Sequence, residues 1–552
     1  NAEAIAGNAD PYGFSLNTDT PIKLLAVNCG SSSLKYRLYD TADGAVAAEG
    51  VIERIGLEGT RHVNLVGERQ TTEEMGSADH GTAFVAMTRA LTGTVIASAD
   101  DIAAVGHRVV HGGERYAGPM IIDDTVLSGI EELAAFSPLH NPVNLVGIRE
   151  AQAAFPAAVH VAVFDTSFHH TLPPYAYLYG LPYEKYETLS VRRYGFHGMS
   201  HFYVALRGAQ FLQRPFNELE IISCHLGNGA SMCAVDHGRS VDTSMGLTPV
   251  EGLVSGTRCG NIDPAALLHV MRSEGLDVDR ANELINRESG LLGLSGISSD
   301  MREIEAAADK GDHRALLAIK TFCYGIRKYI GSYVAAMQGL DTVIFTGGIG
   351  QNSYGVRSLA CQGLMCMGIA IDEQKNRDAV HAGKVRDISA EGSSVRVLVV
   401  PTDEERMIAR ETLRSLDVRG LGSIVERRRE EPIPIEVSAH HVHLSHRHVE
   451  ALFGKGYELT AGADLSQPGQ FAAEERLTLI GPKGHVDRVR VLGPARKQSQ
   501  VEISMTEQFK LGIHPPVRES GDLENTPGIT LEGPAGRVEP TRGVICAMRH
   551  IH

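Results

Sequence analysis

The stretch KLLAVNCGSSSLKYRLYD, residues 23–40, decides how the first part of the chain is read. Lys23 to Asn28 is an apolar run that reads as a buried strand. Past the serines the pattern alternates, with Leu34, Tyr36 and Leu38 on one side and Lys35 and Arg37 on the other. Side chains alternate between the faces of a strand, so a second strand follows the turn, not a helix. A P-loop, which needs G-x-x-x-x-G-K-[ST] running into a helix, is therefore absent. The stretch predicts a hairpin whose tip offers backbone N–H groups, hydroxyls and the Lys35 ammonium to a phosphate. Read alone, it serves equally as a polar turn.

From Lys23 to about Leu416, short apolar runs alternate with helical stretches and glycine turns, the pattern of an α/β protein. KLLAVN, DTVIF and VRVLVV read as buried strands. Thr402-Asp403-Glu404-Glu405 opens a helix with a T-x-x-E capping box, in which Glu405 partners Thr402. Residues 1–20 read as a flexible tail. The charged run Glu426 to Glu431, ending at Pro432, reads as a linker, placed at 421–430.

Composition narrows the function. Lys and Arg number 52 against 67 Asp and Glu, a formal net charge of −15, which argues against a protein that coats nucleic acid. No apolar run reaches the ~18–20 residues that cross a bilayer, and the first twenty residues lack the features of a secretory signal. The eight cysteines include no CxxC pair, which fits reduced thiols in a cytoplasmic enzyme.

Other loops carry the same chemistry as the hairpin tip. Thr346 to Asn352 (TGGIGQN) follows DTVIF and precedes a helix, and its glycines let backbone approach a nucleotide. Arg108 ends an apolar strand in GHRVVHGG, and His140 sits in the turn of SPLHNPVN. Asp165 ends a strand in VFDT. RYGFHGMSH packs His197 and His201 around glycines, and Arg258 is flanked by glycines in GTRCGN. Each has a structural explanation as a cap or surface pair. Their common position, polar groups at strand-end glycine turns, is where α/β active sites lie. Phosphoryl transfer needs such cations around the phosphate oxygens and a metal bridging the nucleotide phosphates.

These segments, with HLGNGAS, DTSMGLTPVEGLVSGTR, FTGGIGQNS and TDEER, occur in the order found in the acetate kinase family, which residues 21–416 resemble. The resemblance implies the acetate and sugar kinase/actin-like (ribonuclease H-like) fold: lobe I from 21–165 plus about 396–420, and lobe II from 166–395. It implies a homodimer and the reaction ATP + acetate ⇌ ADP + acetyl phosphate with Mg²⁺. By motif, Asn28, Arg108, His197 and Arg258 would surround the transferring phosphoryl group. Arg108 and Arg258 would grip the acetate carboxylate, and Asp165 would assist at the acyl-phosphate end. Glu404 would hold Mg²⁺ with Asn28, while His140 and Asn228 would contact phosphate or order the cleft. Lys35, His225, Gly227, Asn228 and Gly229 would contact the nucleotide, and Asp300, Met301, Arg302 and Gly348, Ile349, Gly350, Gln351, Asn352 would cradle its adenosine. Met199 replaces the family's usual threonine and Gln351 its usual glutamate, and neither removes a charged group. The two arginines and the FHGMSH and GTRCGN segments disfavour a sugar kinase.

Residues 431–552 differ in character, holding nine of the 24 histidines. TLIGPKG (478–484) is echoed by TLEGPAG (530–536), and His441-Val442-His443 by His550-Ile551-His552, which predicts a mostly β, barrel-like module built from duplicated strand-turn-strand units. Histidines at i and i+2 on a strand share a face, and two imidazoles make half a zinc site. His440, His446 and His448 read as bystanders, the last two at a helix start. The segments PIEVSAHHVHLSHRHVEALFG, DLSQPGQFAAEERLTLIGPKG, RVLGPARKQSQVEIS and HPPVRESGDLENTPGITLEGP resemble the PduL-type phosphotransacylase family. That resemblance implies two zinc ions and acyl transfer between coenzyme A and phosphate. His441, His443 and Glu502 would bind one zinc, His550 and His552 would contribute to the other, and Arg496 would bind phosphate or acyl phosphate. The family's pattern continues past the second HxH, so the module is expected to be incomplete. The leading reading is an acetate kinase fused to a phosphotransacylase that shares its acetyl phosphate. The alternative is a propionate or butyrate kinase whose second module is only a metal-stabilised interaction domain.

Overall fold

The computed structural model describes residues 10, 12–18, 20–138, 140–427, 440–465, 469–504, 507–518 and 520–547, the side chains of 417–427, 464 and 547 excepted. The chain forms two compact units, Asn1–Gly422 and Ser423–His552. The strands of the first sheet are β1 (Lys23–Cys29), β2 (Ser33–Asp40), β3 (Ala45–Glu53), β4 (Arg61–Val66), β5 (Arg69–Glu74), β6 (Ile102–Val109), β7 (Met120–Ile121) and β8 (Val159–Phe164), in the order β5-β4-β3-β2-β1-β6-β8-β7. The predicted hairpin is present: β1 and β2 pair antiparallel from Lys23↔Asp40 to Cys29↔Leu34, which sets Asn28 opposite Lys35. β1, β6 and β8 run parallel, so Asn28, Arg108 and Asp165 collect at the same end of three neighbouring strands.

The second sheet contains β9 (Glu220–Leu226), β10 (Ala230–Asp236), β11 (Arg239–Thr243), β12 (Thr342–Thr346), β13 (Arg386–Asp387) and β14 (Arg396–Val399), ordered β11-β10-β9-β12-β14-β13. Helix Gly198–Leu212 lies between the lobes. Its Val204, Ala205 and Ala209 share one buried cluster with Leu24, Ala104 and Val163 of the first sheet and Ile221, Ile344 and Leu398 of the second. Helix Glu404–Arg427 joins the same cluster through Met407 and Ile408. It packs so closely on β6 that a Cβ at Gly106 would fall 2.1 Å from Thr412 Oγ1.

Four expectations need correction. The VRVLVV strand does not belong to the sheet of lobe I: β14 pairs parallel with β12 in the second sheet, while the helix after it packs on β6 of the first. Residues 12–17 are not a loose tail, since Tyr12, Phe14 and Leu16 are buried and the guanidiniums of Arg406 and Arg410 donate to the Phe14 and Gly13 carbonyls. The helix at 404 is capped by Asp403, whose carboxylate accepts from the Arg406 N–H at 3.0 Å, while the Thr402 hydroxyl is engaged by Ser200. A carboxylate is the stronger acceptor and leaves Thr402 for the site. The linker expected at 421–430 is helical as far as Arg427, and the rest of the charged run lies outside the described residues.

The second unit is a mixed sheet of β15 (His441–Ser445), β16 (Ala461–Asp464), β17 (Phe471–Ile480), β18 (His485–Arg496), β19 (Gln500–Glu502), β20 (Val517–Arg518), β21 (Thr530–Gly533), β22 (Gly536–Val538) and β23 (Val544–Ala547). Its order is β20-β23-β19-β15-β18-β17-β21-β22, with β16 paired to β17. The two TL-x-GP echoes pair with each other: Thr478↔Glu532, Leu479↔Leu531 and Ile480↔Thr530. Leu479 and Leu531 thereby point into one core with Val442, Val491 and Val501. The described residues of this unit form this one sheet.

Candidate active site

The first site is built where the parallel strands of the first sheet end. Arg108 donates to Asp165 Oδ2 at 2.9 Å and reaches Asn28 Oδ1 at 3.4 Å, and its Nε is buried without a partner. Asp165, 1% exposed, also accepts the His197 N–H at 2.9 Å. Burial works to raise the Asp165 pKa, but the Arg108 guanidinium and the His197 N–H outweigh it and hold the carboxyl below its ordinary value. That contact fixes His197 in a left-handed conformation, φ 57°, at the start of helix 198–212, a strained position for a residue with a Cβ.

Asn144 supports this corner from behind and was not evident in the sequence. Its amide donates to the Cys29 carbonyl at 2.9 Å and accepts from the Val110 N–H at 3.0 Å, clamping the ends of β1 and β6 together. Its place within SPLHNPVN, facing the backbone of two strands, is a tertiary fact with no local pattern.

The opposite wall comes from the second lobe. A Cβ placed on Gly229 would come 3.3 Å from Arg258 Nη1 and 3.5 Å from His197 Nε2, so these two side chains flank the same glycine. The loop bearing Arg258 is tied to the Gly227–Gly229 turn by the Gly256 N–H, which donates to the Asn228 carbonyl at 2.7 Å. His197 and His225 stack with ring centroids 4.3 Å apart. Burial, aided by each other and by Arg108, keeps the His197 pKa far below normal, and burial lowers His225 to about 4. Both imidazoles are neutral at pH 7.

His140 faces both guanidiniums: burial, then Arg108 and Arg258, lower its pKa. Glu404 completes the acidic side. Its burial raises its pKa while Arg108 and Lys35 oppose, and Asp165 adds to the rise. These contacts and electrostatic neighbours link Asn28, Lys35, Arg108, His140, Asp165, His197, Arg258 and Glu404 into one cluster, with Asn228 on the adjoining Gly227–Gly229 turn.

The segments expected to cradle adenosine belong to the second lobe. TGGIGQN precedes a helix as expected, Tyr354–Cys361, but is itself a short helix, Gly347–Asn352, in place of the expected turn. Gly347 takes φ +77°, and a Cβ there would lie 2.7 Å from the Leu226 carbonyl oxygen, so only glycine lets this segment lie against the end of β9. Gly348 is open, Ile349 and Gly350 turn toward the core, and Gln351 and Asn352 face outward. Arg357, fully buried and unnoticed in the sequence, holds this segment by donating to the Gly350 and Gln351 carbonyls at 2.8 and 2.7 Å. Asp300 caps helix Met301–Asp309 and pairs with exposed Arg302. The Met301 side chain, 3% exposed, belongs to the core, which leaves only its backbone for a ligand.

In the second unit the ligand atoms of His441, His443 and Glu502 all lie within 4.8 Å of one another. His441 Nε2 is 3.4 Å from Glu502 Oε2, and His441 stands opposite Glu502 across the β15–β19 pairing. His443 Nδ1 is buried with no hydrogen-bond partner. Burial would raise the Glu502 pKa, yet His441 and Ser520 hold it down at about 2. Arg496 ends β18 nearby, its pKa lowered by burial, and donates to Gln470 at 3.4 Å. His440 meets Glu507 and His448 meets Ser499, as befits bystanders. His550 and His552 lie outside the described residues.

Two guanidiniums about an anion site, with acidic oxygens beside them and two related α/β lobes carrying the parts, define a phosphotransferase. Comparison with known proteins places it further: the chain belongs to the Acetokinase family, whose model matches residues 23–410, and carries a phosphate propanoyltransferase domain matched at 434–552. It is 49% identical over 399 residues to an acetate kinase of Caldicellulosiruptor saccharolyticus, covering 72% of this chain and 100% of that one. Among solved structures, Porphyromonas gingivalis acetate kinase is similar at TM-score 0.67 and 43% identity, covering 72% of this chain and 100% of that one. A Francisella tularensis propionate kinase is similar at TM-score 0.67 and 38% identity, covering 71% and 99%. The two-lobed fold expected from the sequence is thus borne out, and the fusion of two transferase domains with it. Among the described residues no helix is long and apolar enough to cross a membrane.

Proposed function

We propose that the first unit transfers phosphoryl groups reversibly between ATP and acetate, giving acetyl phosphate and ADP, and that the second interconverts acetyl phosphate and acetyl-CoA. The observation that carries the kinase reading is the pair Arg108 and Arg258, both of which act on His140 and His197. Arg108 is partnered by Asp165, whereas among the described residues no carboxylate pairs with Arg258. A half-buried guanidinium without a counter-ion is a place prepared for an anion, here an acyl carboxylate or the transferring phosphoryl group. Val110 and Phe196, two residues after Arg108 and one before His197, form a small buried apolar cluster with Met245 that suits a short acyl group.

Glu404 and Asn28 offer the oxygen donors that Mg²⁺ prefers, and Lys35 stands across the hairpin from Asn28. Mg²⁺, when bound with the nucleotide, supplies charge neutralisation at its phosphates. Arg108 and Arg258 orient the acyl carboxylate for attack on the terminal phosphorus. Asp165 holds Arg108 in place and fixes His197 beside the transferring oxygens.

In the second unit the donor set of two imidazoles and a carboxylate suits zinc, and the unpartnered buried Nδ1 of His443 supports the fit. Zinc there would supply a Lewis acid next to Arg496, which is positioned for a phosphate or acyl phosphate.

The kinase reading is tested by trapping acyl phosphate as the hydroxamate from Mg·ATP and acetate, propionate or butyrate, without coenzyme A. Acetate is expected to give the highest kcat/KM. A larger value for propionate or butyrate would replace the substrate, and no signal with any of them would refute the reading.

A further inference from the structure

His197 heads a chain of four side chains. His197 Nδ1 lies 2.9 Å from Ser231 Oγ, which lies 2.7 Å from His201 Nε2. His201 Nδ1 in turn lies 2.7 Å from Ser223 Oγ. Ser223, Ser231 and His201 are all fully buried at 0% exposure. We propose that Ser223, His201 and Ser231 form a proton-ordered chain that holds His197 as the Nε2–H tautomer, so that it presents a hydrogen-bond donor, not a base, to the transferring phosphoryl group. This rests on the kinase reading above and adds three positioning residues to it.

Counting protons decides the order. Burial lowers the pKa of His197 and His201 far below normal, so each ring carries one proton. In one order the Ser223 hydroxyl donates to His201 Nδ1, His201 Nε2–H donates to Ser231 Oγ, and the Ser231 hydroxyl donates to His197 Nδ1. In that order the three protons inside the chain each have an acceptor, and the fourth, on His197 Nε2, lies at the partly exposed side beside Gly229 and Arg258, where an incoming phosphoryl oxygen can accept it. In the reverse order His197 Nδ1–H donates to Ser231, Ser231 to His201 Nε2, and His201 Nδ1–H to Ser223. The Ser223 hydroxyl then needs a further acceptor, and among the described residues His201 is its single partner. A buried hydroxyl proton left unmade disfavours that order roughly tenfold or more. A neutral donor also fits a site that already holds two guanidiniums, because a bare lone pair at Nε2 would repel the phosphoryl oxygens.

The test is nitrogen-15 NMR of the histidine-labelled full chain at pH 7, with the His197 resonances assigned by their loss in H197Q. The expected result is a protonated Nε2 and an unprotonated Nδ1. A protonated Nδ1, an imidazolium or an even mixture would overturn the proposal, and this reading needs no variant of Ser223, His201 or Ser231 to fold, only H197Q for the assignment. In S231A the His197 ring should move toward a mixture of tautomers, and kcat should fall roughly tenfold to a hundredfold with KM for ATP within about twofold. S231T, which keeps the hydroxyl, should restore both the tautomer and most of kcat. A fall in kcat with the tautomer unchanged would also overturn the proposal. The NMR result is independent of turnover, so an inactive wild-type chain would refute the kinase reading and leave the tautomer to be read separately.

Discussion

Replacing Arg258 by Met separates catalysis from folding more sharply than any other change in this site. The side chain is half-buried, its pKa is lowered by burial alone, and among the described residues no carboxylate pairs with it. Its neighbours are Gly229, Asn228 on the adjoining loop, and the neutral ring of His197. The folded chain therefore carries the cost of a partly desolvated cation and recovers it only when an anion arrives. Methionine keeps the length and removes the charge, so R258M should leave stability unchanged or raise it by about 1 kcal/mol. Turnover should fall ~10³-fold or more, about 4 kcal/mol of transition-state stabilisation. R108M supplies the contrast. It strands Asp165, 1% exposed, without its cation, and should cost about 3–5 kcal/mol of stability as well as activity. Thermal unfolding and the hydroxamate assay on both variants decide the matter. An R258M protein destabilised as much as R108M, or one that keeps more than a tenth of wild-type turnover, would refute the reasoning.

Further outcomes follow from the same geometry. His111 and His169 are held neutral by burial, each with its pKa lowered to about 4 from an unfolded value near ~6.5. The unfolded chain binds more protons between those values, so their contribution is complete above pH ~6.5 and is lost as pH falls toward 4. Urea midpoints across that range should fall steadily with acid, and a flat profile would contradict the assignment. G347A places a methyl group against the Leu226 carbonyl at a φ of +77°, and should raise KM for ATP severalfold or more while acetate KM moves little; equal effects on both would show that the segment is not at the nucleotide. H443A should abolish metal content and CoA-dependent acyl transfer while leaving kinase turnover within twofold, measured by metal analysis and the two assays side by side. Retained stoichiometric zinc in H443A would remove that residue from the metal set.

Much of this is legible in the sequence. The alternation of Leu34, Tyr36 and Leu38 fixes a strand after the serine turn, and the structure pairs that strand with β1 residue for residue. Strand-end polar residues were readable because parallel strands deliver their C-terminal ends to one place, as Asn28, Arg108 and Asp165 show. What escaped has a common cause. β14 is a short apolar strand whose sequence says nothing about which sheet receives it, and it joined the second by pairing with β12. Tyr12, Phe14 and Leu16 sit among polar residues, and their burial depends on a groove formed by helices 200 and 400 residues away. Asn144, Ser231 and Arg357 act through backbone and side-chain partners distant in sequence. The spacing of Thr402 fits a cap, but the neighbouring Asp403 carboxylate takes that role.

On the proposed function, two transferase sites on one chain share acetyl phosphate. The most direct test supplies the full chain with acetyl-CoA, inorganic phosphate, Zn²⁺ and Mg·ADP, and follows ATP by luminescence. ATP should appear at a rate that depends on both coenzyme A ester and phosphate, and should vanish in R258M and in H443A alike. ATP formed from added acetyl phosphate but never from acetyl-CoA would contradict the claim and leave a kinase alone.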